Sequence, residues 1–321
     1  MGPGGRPGRR TRGASGRRAG HRRSRPTIGG RPARPDHEVS PMPLTSPTDL
    51  LRAARADDAG VGAFNVIQLE HAEAIVAGAE AAGLPVVLQL SENTVHYHRG
   101  LAGIGSACLA VAAQASVPVV VHLDHAEDED LVAAAVELGF PSVMFDASTL
   151  PYAENVSRTA DVVRRCHARG VAVEAELGEI GGKDGAHAPG VRTDPAEAAR
   201  FVEATGVDSL AVAVGTSHAM ADRSAVVDLE LVGRLAAAVP VPLVLHGSSG
   251  VDDPGLRAAV RAGISKVNIA TRLNQVMTAA VRAVLSADPQ VSDPRRYLGP
   301  GRDAVADEVT TLLRLLRGVT D

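Results

Sequence analysis

From residue 62 onward, short apolar runs alternate with longer Ala-rich stretches in which apolar residues recur at helical spacing. The short runs are GAFNV (62–66), PVVLQLS (85–91), PVVVHLDH (118–125), SVMFDAS (142–148), AVEAELG (172–178), SLAVAVG (209–215), PLVLHGS (242–248) and ISKVNIA (264–270). The longer stretches include LEHAEAIVAGAEAAG, EDLVAAAVELG, PAEAARFVEATG and DPGLRAAVRAG, each closed by a Gly of the kind that ends helices. Strict alternation of strand and helix predicts βαβ units and a parallel sheet. Eight such units in about 210 residues predict an α/β protein of the (β/α)8 type, a TIM barrel. An open doubly wound sheet is the alternative, but no GxGxxG follows the first strand. PLTSPTDLLRAAR is expected to form a helix ahead of the barrel, which spans 42–321 with a helical extension at its C-terminal end.

The polar residues fall in register with this pattern. Asn65, Ser91, Asp124, His125, Glu176, His218, His246 and Asn268 all lie at or just beyond the C-terminal ends of predicted strands. In a barrel those ends form one rim, where the βα loops build the active site. VVVHLDHAED (119–128) shows it most sharply, a β-branched run ending in two histidines and three acids. A strand emerging into a solvated loop would not choose the same end eight times.

Composition adds limits. Aromatics are only 2% of the chain and Trp is absent, so Ala and Val must fill the interior. No apolar run reaches the roughly 20 residues that span a bilayer, and the best candidate, Leu109 to Val121, contains Gln114, Ser116 and Pro118. Cys108 and Cys166 do not make a CxxC pair or a disulfide scaffold, and a cytoplasmic location is expected. The net charge of −4 hides two regions: residues 1–41 hold 11 basic residues against Asp36 and Glu38, a balance of +9. The remainder holds 22 basic and 35 acidic residues, or −13. The Arg-, Gly- and Pro-rich tail is expected to be disordered, and is read as sequence upstream of a translation start at Met42. A nucleic-acid arm and a targeting peptide are the other readings. The acidic barrel argues against nucleic acid as a partner, and no apolar segment follows the arginines as a leader would require.

Three rim histidines, His125, His218 and His246, come from three different strands, and three protein ligands with one open position is the pattern of catalytic zinc. A single histidine at a strand end is more often a hydrogen-bonded structural residue. His71 and His167 lie in helical stretches, His21 and His37 in the tail, and His96 and His98 in a loop. His122 shares the strand face of Asp124 by the period of two and reads as its supporting partner. HGSSG (246–250) and NIAT (268–271) follow the seventh and eighth strands, where barrels often build a phosphate cradle from backbone amides and hydroxyls. Either loop alone would be an ordinary Gly-rich turn.

These residues resemble the class II, metal-dependent ketose-bisphosphate aldolases, including fructose- and tagatose-bisphosphate aldolases, from about Met42 to the end. GAFNV, HLDHAED, EAELGEIGGKDG, AVAVGTSHA, LVLHGSSG, KVNIAT and DPRRYLGPGRDAV carry the resemblance. It implies that His125, His218 and His246 hold Zn2+ (Co2+ or Mn2+ being alternatives), with Glu176 near the metal and a monovalent cation as a further cofactor. It implies Asp124 as the acid/base at the C4 hydroxyl. Gly215, Gly247, Ser249, Ala270 and Thr271 match positions around dihydroxyacetone phosphate, Asn268 contacts its hydroxyls, and Asn65 and Ser91 join the substrate site. Gly181, Gly182 and Lys183 belong to a mobile loop. The implied partners are a phosphorylated ketose and dihydroxyacetone phosphate, and the implied assembly is a homodimer or homotetramer, with no membrane.

One departure stands in that loop. Where the family usually places a Glu that shuttles the C3 proton, GGKDGAHAPG has Asp184, one methylene shorter, with His187 as the alternative base. Other functions compete. A Schiff-base aldolase would need one of the only two lysines, Lys183 or Lys266. A metal-dependent sugar-phosphate epimerase or isomerase would use the same enediolate without cleavage. A sugar-phosphate sensor would bind without turnover, and an RNA binder would depend on the tail.

Overall fold

The computed structural model describes Met1, Gly2 and residues 46–178, 192–216 and 223–319. The chain divides into two units, Met1–Glu38 and Val39–Asp321, and the second carries the fold. Apart from its first two residues, the expected tail lies outside the described residues.

The second unit opens with α1 (Pro47–Ala56), where the Ser46 hydroxyl accepts from the Asp49 N–H and Pro47 starts the first turn. There follow β1 (Val61–Asn65), α2 (Leu69–Ala82), β2 (Val86–Ser91), α3 (Glu92–Tyr97), α4 (Leu101–Ala113) and β3 (Val119–Ala126). Next come α5 (Glu129–Leu138), β4 (Ser142–Phe145), α6 (Tyr152–His167), β5 (Ala172–Leu177), α7 (Pro195–Thr205) and β6 (Ser209–Val212). The rest is α8 (Leu229–Ala238), β7 (Leu243–Leu245), α9 (Asp253–Ala262), β8 (Ile264–Ile269), α10 (Thr271–Ala287) and α11 (Arg295–Arg317). All eight strands pair in parallel with their sequence neighbours, and β8 closes on β1 with Ala63 opposite Asn268. The fold is a (β/α)8 TIM barrel, as the alternation predicts.

One expectation is corrected: His96 lies within α3, not in a loop, while His98 caps that helix at the start of the turn that follows. The Ser91 hydroxyl accepts from the Thr94 N–H and starts this helix directly at the end of β2. Six residues are too few to show helical periodicity in the sequence.

The strands are buried on both faces, which is why they read as unbroken apolar runs. Along β3, Val119, Val121 and Leu123 join the core beneath the surrounding helices, while Val120, His122 and Asp124 face the barrel axis. The axis is layered. At the N-terminal mouth, Leu51 and Ala54 of α1 pack on Val61, Ala63, Val87 and Val120. Above this apolar floor lie the buried polar residues His122, Ser142, Glu174, Ser209 and Lys266. Gln89, Asp124, Glu176, His246 and Asn268 form the next layer, towards the C-terminal rim. Outside the barrel, α11 lies along α2. A Cβ at Gly78 of α2 would sit 2.6 Å from the Ala306 carbonyl oxygen, so a glycine is what allows the two helices their approach.

Candidate active site

Successive residues of a strand point to opposite faces, so Asp124 and His125 should not serve one site. The pairing of β3 with β4 shifts register between Leu123 and Ala126, and His125 takes a φ of 49°. A bulge of this kind re-aims a side chain and is frequent beside active sites, and the left-handed region is open to His at modest cost. Asp124, His125 and His246 thereby bring potential ligand atoms within 4.8 Å of one another, and so do His125, Asp146 and Glu176. The His125 and His246 rings meet edge to face with centroids 4.6 Å apart.

His125 Nδ1 lies 2.7 Å from Asp146 Oδ2, while Asp146 Oδ1 accepts from the Ser148 N–H and hydroxyl. This anchor is absent from the residues singled out in the sequence. The signal was there, since SVMFDAS carries a carboxylate at the end of its strand like the other rim positions.

Asp124 is held by amides. Oδ2 accepts from Asn65 Nδ2 at 3.2 Å and Gln89 Nε2 at 3.4 Å, and Oδ1 accepts from Asn268 Nδ2 at 3.2 Å. Burial pushes its carboxyl upward, but His125, His246 and Lys266 outweigh that and hold it below its ordinary value. An ionised, oriented carboxylate is the result.

His122 shares the face of Asp124, as expected, but its partners lie one layer deeper. Its Nδ1 is 2.8 Å from Ser142 Oγ and its Nε2 is 3.4 Å from Lys266 Nζ. Burial, with Lys266 beside it, drives the His122 pKa well below the usual value, so the neutral ring accepts from the ammonium. Glu174, which the sequence reading passed over, bridges the layers with Oε2 2.8 Å from Lys266 Nζ and Oε1 3.0 Å from His246 Nε2.

At the rim a cavity of about 210 Å³ is lined by the expected Asn65, Ser91, Asp124, His125, Gly247, Ser249, Asn268, Ala270 and Thr271. Asn93 and Ser248 also line it. Gly247 has a φ of 64° and leads into the single turn Ser248–Gly250, and the Ser248 hydroxyl donates to the Asn268 carbonyl. Beside that turn α10 begins at Thr271 with no side-chain cap, and helix N-termini favour anions. Arg272, next in line, turns away to pair with Asp253 and Glu308. Gly215 (φ 110°) is not among the lining residues and lies against the Val226 carbonyl and the Arg192 guanidinium. The neighbouring Thr216 hydroxyl donates to the His246 carbonyl at 2.6 Å. Gly181, Gly182, Lys183, Asp184, His187 and His218 lie outside the described residues.

The donor set is imidazole and carboxylate, converging in a largely buried pocket. It fits a borderline divalent ion such as zinc, cobalt or manganese. Lys266 is 2% exposed, engaged by Glu174 and below the cavity rather than in its wall. Among the described residues no helix is long and apolar enough to cross a membrane.

Residues 45–320 match the family described as "Fructose-bisphosphate aldolase class-II". A fructose-bisphosphate aldolase of Thermus caldophilus is 39% identical, the match covering 86% of this chain and 99% of the relative. The YdjI aldolase of Escherichia coli K12 superposes with a TM-score of 0.75 at 31% identity, covering 85% of this chain and 97% of that one. A fructose-bisphosphate aldolase of Campylobacter jejuni, at 23% identity and a TM-score of 0.69, shares the fold. With the sequence matched over almost the whole barrel, and the barrel's rim built as described, the chain belongs to the class II fructose-bisphosphate aldolase family.

Proposed function

We propose that this chain catalyses reversible, zinc-dependent retro-aldol cleavage of a ketose phosphate or bisphosphate, such as fructose 1,6-bisphosphate or tagatose 1,6-bisphosphate, to dihydroxyacetone phosphate and an aldehyde. The observation that carries this reading is a convergence. Asp124 and His125 line one cavity together with Gly247, Ser249 and the start of α10, and His246 brings a potential ligand atom within 4.8 Å of both.

His125, His218 and His246 would hold the metal, with Glu176 beside them: its Oε2 is 3.6 Å from His246 Nδ1. Such an ion supplies Lewis acidity for the negative charge that develops on the ketone oxygen when the carbon–carbon bond breaks. Asp124, kept ionised and aimed by three amides, accepts the C4 hydroxyl proton in cleavage and returns it in condensation. Backbone amides of Gly247 to Ser249 and of the first turn of α10 receive the phosphate, with the Ser249 and Thr271 hydroxyls. Asn268, between Asp124 and His246, orients the donor's hydroxyls. Asp184, with His187 as its alternative, moves the C3 proton. The pairing of Lys266 with Glu174 supports the metal route over a Schiff base, because the amine does not reach the cavity. We further propose a cytoplasmic homo-oligomer in which residues 1–41 take no part in catalysis.

Assay of the purified protein in the condensation direction, with dihydroxyacetone phosphate and a panel of aldehydes, tests the reaction and identifies the acceptor. EDTA should abolish turnover and added zinc should restore it, while borohydride with substrate should leave the enzyme active. Inactivation by borohydride through Lys266, with indifference to chelator, would overturn the metal mechanism. Interconversion of ketose epimers without any aldehyde product would replace cleavage with epimerisation.

A further inference from the structure

Glu174 links a cation inside the barrel to an imidazole at its rim. Lys266 and Glu174 side chains are each 2% exposed, and the His246 side chain is fully buried. Among the described residues, His246 Nε2 lies 3.0 Å from both the acceptor Glu174 Oε1 and the donor Asn268 Nδ2, so its two neutral tautomers compete. If Nε2 were bare, its lone pair would face a carboxylate oxygen in a poorly screened interior. With a proton on Nε2, the same contact becomes a charge-assisted hydrogen bond, and Asn268 Nδ2 still has Asp124 Oδ1 as acceptor at 3.2 Å. The carboxylate therefore selects the Nε2–H form. Nδ1 is left directed at the site, where Glu176 Oε2 is 3.6 Å away.

A lone carboxylate at this depth would be strongly disfavoured. Lys266 Nζ, at 2.8 Å from Oε2, both balances that charge and clamps one oxygen, which leaves Oε1 to face the ring. Ser209 Oγ supports Oε2 from β6 at 3.4 Å. Among the described residues, the ammonium also has His122 as a neighbour, whose other nitrogen is turned to Ser142.

We propose that Glu174 and Lys266 are positioning residues for His246. Glu174 fixes the imidazole as the Nε2–H tautomer with Nδ1 towards the site, and Lys266 acts only through Glu174. The proposal rests on the reading that His246 holds a metal, since the tautomer then decides which nitrogen is available to it. Outer hydrogen-bond partners of this kind typically change metal affinity about 10–100-fold when removed.

The test uses Glu174→Gln and the double variant Glu174→Gln/Lys266→Met in the full chain. The double variant removes both charges at similar volume and leaves neither buried alone, so the barrel should fold. Zinc affinity, from competition with a chromophoric chelator, should fall about 10–100-fold in both variants. Nitrogen-15 NMR of metal-free protein should show His246 as a single Nε2–H tautomer in wild type and as a mixture in the variants, a change that a merely structural role would not produce. Lys266→Met should add nothing to Glu174→Gln. A further loss of affinity there would overturn the claim that the lysine acts through the glutamate. A double variant with wild-type zinc affinity and one tautomer would overturn the positioning role and leave the metal reading intact. Wild type that binds no zinc would overturn both.

Discussion

Asp146 Oδ2 lies 2.7 Å from Nδ1 of His125, a residue held at a φ of 49° by the bulge in β3. The contact orients the ring of His125 and leaves its Nε2 for the cavity. Asp146→Ala should therefore weaken zinc binding by about 10–100-fold, read by chelator competition. Asp146→Asn should lose affinity as well, because a neutral amide replaces the charged acceptor of Nδ1. Equal affinity in wild type and Asp146→Ala would show that the bulge alone orients the ring.

Asp124→Asn removes the proton acceptor while keeping the shape. Cleavage should fall by about 10²–10⁴-fold, the usual contribution of a general acid or base, with metal content by atomic emission unchanged. Loss of the metal instead would make Asp124 a ligand, a role that its grouping with His125 and His246 makes worth checking.

The eight strands were legible because burial on both faces makes each an unbroken apolar run, and the helices because glycines such as Gly83 and Gly139 end them at positive φ. Asp124, His125 and His246 were legible from their place at strand ends. The bulge at His125 was not, since nothing in HLDH marks a register shift. The partnership of Glu174 with Lys266 was not either. It joins residues 92 apart in sequence and depends on how β5 and β8 align when the barrel closes. His122 illustrates the limit of periodicity, which assigns a residue to a face but cannot say which strands contribute its neighbours in that layer.

In the segment that follows β5 in the sequence, Asp184→Ala should block exchange of the C3 proton of dihydroxyacetone phosphate with solvent, even without an aldehyde. Binding should survive, and Asp184→Glu should retain exchange. Loss of deuterium from the stereospecifically labelled compound, followed by NMR, decides the matter. Exchange that persists in Asp184→Ala and vanishes in His187→Ala would assign the proton to the histidine.

Asp253, in the first turn of α9, accepts from Arg223 at 2.5 Å and Arg272 at 2.8 Å. Burial raises its carboxyl, but the two arginines outweigh this and hold it below its ordinary value. A depressed folded-state pKa gives stability that is present above the unfolded value and is lost as pH falls through the folded one. The stability difference between wild type and Asp253→Asn, from urea unfolding, should be constant near neutrality and shrink below about pH 4. A difference that grows on acidification would contradict the assignment.

Gly78→Ala tests the contact between α2 and α11. Alanine is the better helix former by about 1 kcal/mol, but its Cβ would meet the Ala306 carbonyl at 2.6 Å and Val309 Cβ at 2.8 Å. Backbone cannot swing aside as a flexible side chain can, so overpacking should win and cost about 1–3 kcal/mol. Equilibrium unfolding measures it, and a stabilised variant would show that the helices can separate freely.

The same contact ties the order of synthesis to the order of burial. α2 belongs to the first βα unit, while the helix that covers it emerges only after all eight strands. Gly60 N–H donates to the Leu316 carbonyl and Arg317 pairs with Asp57, so the seam beside β1 also waits for α11. The apolar flank of α2 is therefore exposed on the ribosome for most of translation. Contacts so distant in sequence slow folding, and an uncovered apolar helix face invites aggregation. Chaperone demand for this chain should centre on the helix of its first βα unit, for want of its last helix.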